Sequence, residues 1–117
     1  SPYNVALNRY SDEKQLNSTN QREIENAFNN VNRVFVSKGI PVIMGEFGTI
    51  NKGNLSDRVE IAKFFVSTAN KYGIPCIWWD NGSDSAPKDG EGFLLLDRNK
   101  LTWRYPEIVK ALVNTAK

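Results

Sequence analysis

Two short stretches of this chain carry residue types that can do chemistry. Pro41-Val42-Ile43-Met44-Gly45-Glu46-Phe47-Gly48 is an apolar run closed by an acid between glycines. Ile74-Pro75-Cys76-Ile77-Trp78-Trp79-Asp80-Asn81-Gly82 is a second apolar run, closed by two indoles, an acid and an amide. A carboxylate at the tip of an apolar run is out of place as packing, because buried acids are rare unless paired or used. A strand-end glutamate can also simply reach solvent or a nearby arginine. Histidine is absent from the chain. That removes Ser–His and Cys–His catalysis and most zinc sites, and leaves carboxylates as the groups of interest.

The elements that would position these residues favour a site. Gly73-Ile74-Pro75-Cys76-Ile77-Trp78-Trp79-Asp80 echoes Gly39-Ile40-Pro41-Val42-Ile43-Met44-Gly45-Glu46, with Asp80 falling where Glu46 fell. A helix-length segment fills the gap. One strand-plus-helix unit used twice is the pattern of a barrel or doubly wound sheet, whose strands are buried on both faces. Sites in such folds sit at the C-terminal ends of the strands, where both units carry their unusual residues.

Composition bounds the alternatives. The chain has 117 residues, 40% hydrophobic and 11% aromatic, enough for the core of one domain. A net charge of +2 with no basic run and no heptads gives no support to nucleic acid or membrane partners. No apolar stretch is long enough to span a bilayer. Cys76, the single cysteine, cannot form an intrachain disulfide and reads as a small buried hydrophobe. No cofactor and no metal are expected.

In chain order, residues 1–17 read as a polar loop. Ser18 with Gln21 offers a capping box for a helix whose apolar stripe is Ile24, Ala27, Phe28, Val31, Val34 and Phe35. Gly39 ends it and Pro41 forbids its continuation. After a loop over residues 49–55, a second helix begins near Ser56 or Asp57, buries Ile61, Ala62, Phe65, Ala69 and Tyr72, and closes at Gly73. Residues 81–92 form a long loop of the kind that lines a cleft. Phe93 to Leu96 form a short extra strand, and Pro106 opens a last helix with Ile108, Val109, Leu112 and Val113 inward. Two strands cannot bury their own faces and three one-sided helices. With no Met before Ser1, the chain is expected to be the C-terminal portion of a longer barrel.

These motifs resemble family 5 of the glycoside hydrolases, the cellulase-like (β/α)8 barrels. The Glu46 run is similar to their seventh strand, and Ile74 to Gly82 to their eighth. Phe93 to Arg98 and Leu101 to Val109 resemble the end of the endoglucanase and xyloglucanase branch. Ser1 to Leu7 is similar to the segment that comes after the family's sixth-strand His-x-Tyr. The resemblance implies an α/β fold, residues 1–117 being the C-terminal part of one catalytic barrel with strands 7 and 8. It implies an extracellular, secreted retaining hydrolase of internal β-1,4-glucosidic bonds in cellulose, β-glucan or xyloglucan. Glu46 would be the nucleophile. The partner acid/base lies in an Asn-Glu-Pro of the family's fourth strand, absent here. The substrate polysaccharide and the N-terminal part of the barrel are the expected partners.

Substrate-binding residues come from the same resemblance. Trp79 matches the indole under the attacked sugar, whose C–H face suits a flat aromatic. Trp78 can be core or binding surface; Asp80 and Asn81 can bond sugar hydroxyls or brace the loop. Glu91 reads as an exposed loop acid with a sugar contact as the alternative, and Trp103 as packing. A β-mannanase of the same family and a non-catalytic carbohydrate-binding fragment stand beside the glucanase, as does an interaction scaffold. Strand–helix alternation argues against the usual β-sandwich of a binding module.

Overall fold

A computed structural model describes residues 2–117. The N-terminal segment expected as a loop contains a short helix, α1 (Pro2–Ala6), which buries Val5; Ser1 lies outside the described residues. Proline at its start supplies a helical φ without a missing bond. Helix α2 (Ser18–Val34) is capped by Asn17, whose side chain accepts from the Asn20 N–H at 2.8 Å. The cap therefore stands one residue before Ser18. Of the predicted stripe only Ile24 and Phe28 are fully buried, with Val31 half-buried; Ala27, Val34 and Phe35 are exposed. A single 3-10 turn, Val36–Lys38, comes next and ends at Gly39, in the left-handed region at φ 77°.

Strand β1 (Met44–Phe47) leads by way of a loop into α3 (Leu55–Asn70), which begins slightly earlier than the sequence suggests, with Asn54 at its cap. Gly73, also left-handed, closes it, and the Ile74 N–H donates back to the Ala69 carbonyl at 3.1 Å. Strand β2 (Cys76–Trp78) pairs parallel to β1, with Met44 opposite Cys76 and Phe47 opposite Trp78. The short strand expected over Phe93 to Leu96 falls later, as β3 (Leu96–Asp97), because it is fixed by antiparallel pairing with an unexpected β4 (Thr102–Trp103). Helix α4 (Pro106–Ala116) starts at its proline as predicted. It buries Ile108 and Ala111, leaving Val113 exposed.

Two apolar clusters hold these parts together. Ile24 and Phe28 of α2, Ala69 of α3 and Ile74 form one, with Met44, Phe65 and Cys76 against it. Ala62, Leu95, Tyr105, Ile108 and Ala111 form the other, with Trp78 against it. Phe65 is the hinge between strand and helices, stacked on Phe47 at 4.3 Å and edge-on to Phe28 at 5.1 Å. Burying each large side chain contributes about 1.5–3 kcal/mol. Cys76, expected to be buried, is half-buried at the edge of the first cluster, and the burial it has pushes its thiol up to about 11.

The strands are not buried on both faces. Met44 and Cys76 pack on the helices, but Ile43 is 63% and Ile77 53% exposed. The reason is geometric: helices pack on the Met44 and Cys76 side of the two-stranded sheet, and among the described residues Ile43 and Ile77 are left uncovered. Trp103, expected as packing, is also 53% exposed, because β4 lies in an outer hairpin. An uncovered apolar face beside two open strand edges is a template for association. The isolated 117-residue chain is therefore expected to bind a hydrophobic dye strongly and to elute above monomer size. A dye-silent monomer in gel filtration would contradict this.

Candidate active site

The last rung of the parallel ladder sets the site. The Trp79 N–H donates to the Phe47 carbonyl at 2.8 Å, so the tips of β1 and β2 are locked side by side. Between the paired positions, β1 takes three steps from Met44 to Phe47 where β2 takes two from Cys76 to Trp78, a bulge. Strict alternation would send Met44 and Phe47 to opposite faces; with the extra residue both pack on the helices. Glu46, next to the bulge, is exposed.

Glu46 and Trp79 line one cavity of about 310 Å³, with Glu91 and Phe93 from the long loop and Tyr3 and Leu7 from the N-terminal segment. Trp79 is 45% exposed there. The structure thus brings together Glu46, Trp79 and Glu91 of the predicted residues. Trp78 faces the other way: half-buried against the α3–α4 cluster, it donates from Nε1 to the Phe93 carbonyl at 3.2 Å. Of its two readings, packing is the one this geometry supports.

Asp80 and Asn81 spend their hydrogen-bonding capacity on the loop. Asp80 Oδ1 accepts from the Gly82 N–H at 2.7 Å and from Arg98 Nη1 at 3.1 Å. Its Oδ2 accepts from the N–H groups of Leu95 at 2.9 Å and Leu96 at 3.2 Å. Burial would raise this carboxyl, but the backbone donors of Leu95, Gly82 and Leu96, with Arg98, hold it below its ordinary value. Asn81 Oδ1 accepts from Ser83 and Phe93 N–H, and its Nδ2 donates to the Glu91 carbonyl at 2.7 Å. The sequence echo that aligned Asp80 with Glu46 does not hold in space. Asp80 lies past the end of its strand, whereas Glu46 lies within its own.

Sequence reasoning missed the groups that fix this loop from behind. Asp84 accepts from the Tyr105 hydroxyl at 2.6 Å and pairs with Arg104 Nε at 3.3 Å. Tyr105 has two guanidinium groups near its ring, Arg58 at 4.8 Å and Arg104 at 4.6 Å. Arg58, 1% exposed, donates from Nε to Thr49 Oγ1 at 3.1 Å and from Nη2 to the Thr49 carbonyl at 3.0 Å. Burial pulls its guanidinium below the usual value, offset by Tyr105 and Asp84, while burial and the Asp84 bond raise the Tyr105 phenol. Gly92 lets the loop's two legs touch, since a Cβ there would meet the Ser85 carbonyl oxygen at 2.6 Å. A signal was present: an arginine at position 58 falls on the helix stripe of Ile61, Ala62 and Phe65.

Lys52 falls in a stretch that reads as plain loop, yet it clasps the N-terminal segment. Its ammonium donates to the carbonyls of Asn4 at 2.7 Å, Glu13 at 2.8 Å and Ser11 at 3.0 Å. Burial lowers its pKa, opposed by Glu13 and Asp12. All three protons are used, which places Tyr3 and Leu7 at the cavity.

Comparison with known proteins agrees with this geometry. A family profile described as cellulase (glycosyl hydrolase family 5) matches residues 2–85. Endoglucanase 1 of Ruminococcus albus is 40% identical over 116 residues, 99% of this chain and 28% of its own length. The structure of a broad-specificity endoglucanase from Clostridium cellulovorans superposes with a TM-score of 0.92 at 42% identity, over 99% of this chain and 34% of that one. A Caldicellulosiruptor family 5 lichenase mutant in complex with cellotetraose gives 0.91 at 41% identity, over 99% and 32%. The chain thus spans about a third or less of the proteins it matches. Its two βα units have the fold of the C-terminal part of a (β/α)8 barrel.

The Asp80 bonds predict a pH dependence. A carboxyl whose folded pKa is depressed contributes stability above its unfolded pKa, near 3.9, and loses it as pH falls toward the folded value. Asp80→Asn is expected to cost about 1–3 kcal/mol at pH 7. The gap from wild type should close below about pH 4 in urea melts of the complete barrel protein. A constant gap from pH 7 to pH 3 would mean that the charge is not what holds the loop.

Proposed function

The chain belongs to glycosyl hydrolase family 5, and from that membership we propose that it supplies the nucleophile half of a retaining endo-β-1,4-glucanase. The observation that carries this reading is that Glu46 and the exposed Trp79 share one cavity at the strand tips. In this proposal all 117 residues are part of one catalytic barrel, and the acid/base carboxylate stands on another of its strands, about 5–5.5 Å from Glu46. The substrate is a β-glucan such as cellulose, mixed-linkage glucan or xyloglucan, met outside the cell by a secreted enzyme.

The chemistry rests on the two groups. The glucosyl ring at the scission point lies with its apolar C–H face on the Trp79 indole. The acid donates its proton to the glycosidic oxygen while Glu46 attacks the anomeric carbon from the opposite face. The bond to the leaving sugar breaks and a glycosyl ester on Glu46 forms. Water, deprotonated by the same partner group, then attacks the anomeric carbon and releases Glu46 as carboxylate. Two inversions give net retention. Asp80 and Asn81 act by holding the loop that carries Glu91, and Trp78 by packing beneath the tip.

Glu46→Gln in the complete enzyme keeps shape but removes the attacking charge. Turnover of β-glucan is expected to fall by roughly 10⁴-fold or more while cellotetraose still binds, because the lost interaction belongs to the transition state. A 2-fluoro cellobioside with a good leaving group should label Glu46; a label on Asp80, or an inverted product, would overturn the assignment. Trp79→Ala should weaken oligosaccharide binding by about 1–3 kcal/mol, and Trp78→Ala should instead lower Tm. The opposite split, read by calorimetry and thermal melts, would mean the faces of β2 are reversed.

A further inference from the structure

Beside the Trp79 cavity lies a second, polar groove of about 630 Å³, between the N-terminal segment and the long loop. Arg9 and Tyr10 line one side; Asn81, Ser83, Asp89 and Glu91 line the other. Glu91 belongs to both the cavity and the groove, so the two are continuous across one carboxylate. We infer that this groove is a second carbohydrate subsite, in which Tyr10 is the stacking platform and Glu91 the shared acceptor between adjacent sugars of one chain. The inference rests on the glucanase reading above.

Tyr10 is 81% exposed, yet it is held. Arg9 Nη2 donates to its hydroxyl oxygen at 2.6 Å, and the same guanidinium lies 4.8 Å from its ring centroid. The Tyr10 N–H donates to Asn8 Oδ1 at 3.1 Å, and Asn8 Nδ2 donates to Asn4 Oδ1 at 3.0 Å. Lys52 then ties the carbonyls on either side of this turn, those of Asn4 and Ser11, to the body of the protein. A ring fixed in advance loses little freedom when a ligand stacks on it. The facing wall is fixed too, through the Asn81 bond to the Glu91 carbonyl.

The chemistry of the walls selects the ligand. One guanidinium stands with the two carboxylates of Asp89 and Glu91, a poor receptor for an anion. Together with the serine hydroxyl at the rim these groups suit a neutral ligand dense in hydroxyls. An aromatic surface with such a rim is how a pyranose, apolar on its C–H faces and polar on its edge, is held. Because Glu91 bounds both spaces, the occupant is the next unit of the chain bound over Trp79.

The test compares Tyr10→Ala, Tyr10→Phe and wild type in the complete enzyme, on cellohexaose and on β-glucosyl fluoride, whose single sugar fills only the position over Trp79. Tyr10→Ala is expected to lower kcat/KM on cellohexaose roughly five- to tenfold more than on the fluoride, the size of one aromatic contact. Tyr10→Phe, which keeps the ring, should recover most of that difference. Equal losses on both substrates, or no loss on cellohexaose, would overturn the subsite while leaving the glucanase reading intact. A wild-type enzyme that cleaves neither substrate would overturn both.

Discussion

The hydrogen bond from the Trp79 N–H to the Phe47 carbonyl is the point on which the rest of the site depends. It closes a parallel ladder of only two short strands, and parallel pairing needs a crossover helix to bring its partners together. That helix, α3, packs Phe65 against Phe47 and so supports the same tip from behind. One rung and one stacked pair thus determine where a carboxylate and an indole stand relative to each other. The bulge in β1 adds the last adjustment, returning Phe47 to the helix side next to an exposed Glu46.

Behind the tip, polar groups perform the work that apolar packing performs elsewhere in the chain. Arg58 is buried in a helix face, and its charge is balanced by the Thr49 carbonyl, the Tyr105 ring and the nearby Asp84. The network is incomplete at one atom, Arg58 Nη1, which is buried without a hydrogen-bond partner among the described residues. Elsewhere each member is paired, and an unpaired buried group costs more than a paired one contributes. The network joins four separate segments: the loop after β1, helix α3, the long loop and the start of α4. Function-bearing loops attached in this way can be irregular in backbone and still be well placed.

Much of this was legible from residue types and spacing. The two strand tips, the helix-ending glycines at 39 and 73, Pro106 and the inward face of α3 all come from local rules. Those rules describe a residue by its neighbours in the chain. They fail where the partner is remote. Asn17 rather than Ser18 takes the cap because only its side chain reaches the Asn20 N–H, a difference of one residue that propensity does not resolve. Lys52 looks like an ordinary loop lysine until the carbonyls of Asn4, Ser11 and Glu13 are folded around it. The echo of Glu46 in Asp80 misleads for the same reason, since a repeated sequence does not ensure a repeated register.

The manner in which the long loop is tied has a consequence for proteolysis. Its exposed crest is at Lys88 and Asp89, and a trypsin-like enzyme would find its cut there. Both halves of the severed loop would remain attached. Asp84 stays bonded to Tyr105 and Asn51 on one leg, and Gly92 to the Asn51 N–H on the other; Asn81 bridges the two through the Glu91 carbonyl. A nicked protein of this kind would migrate as two pieces under denaturing conditions and as one under native ones, with its cleft walls still facing each other.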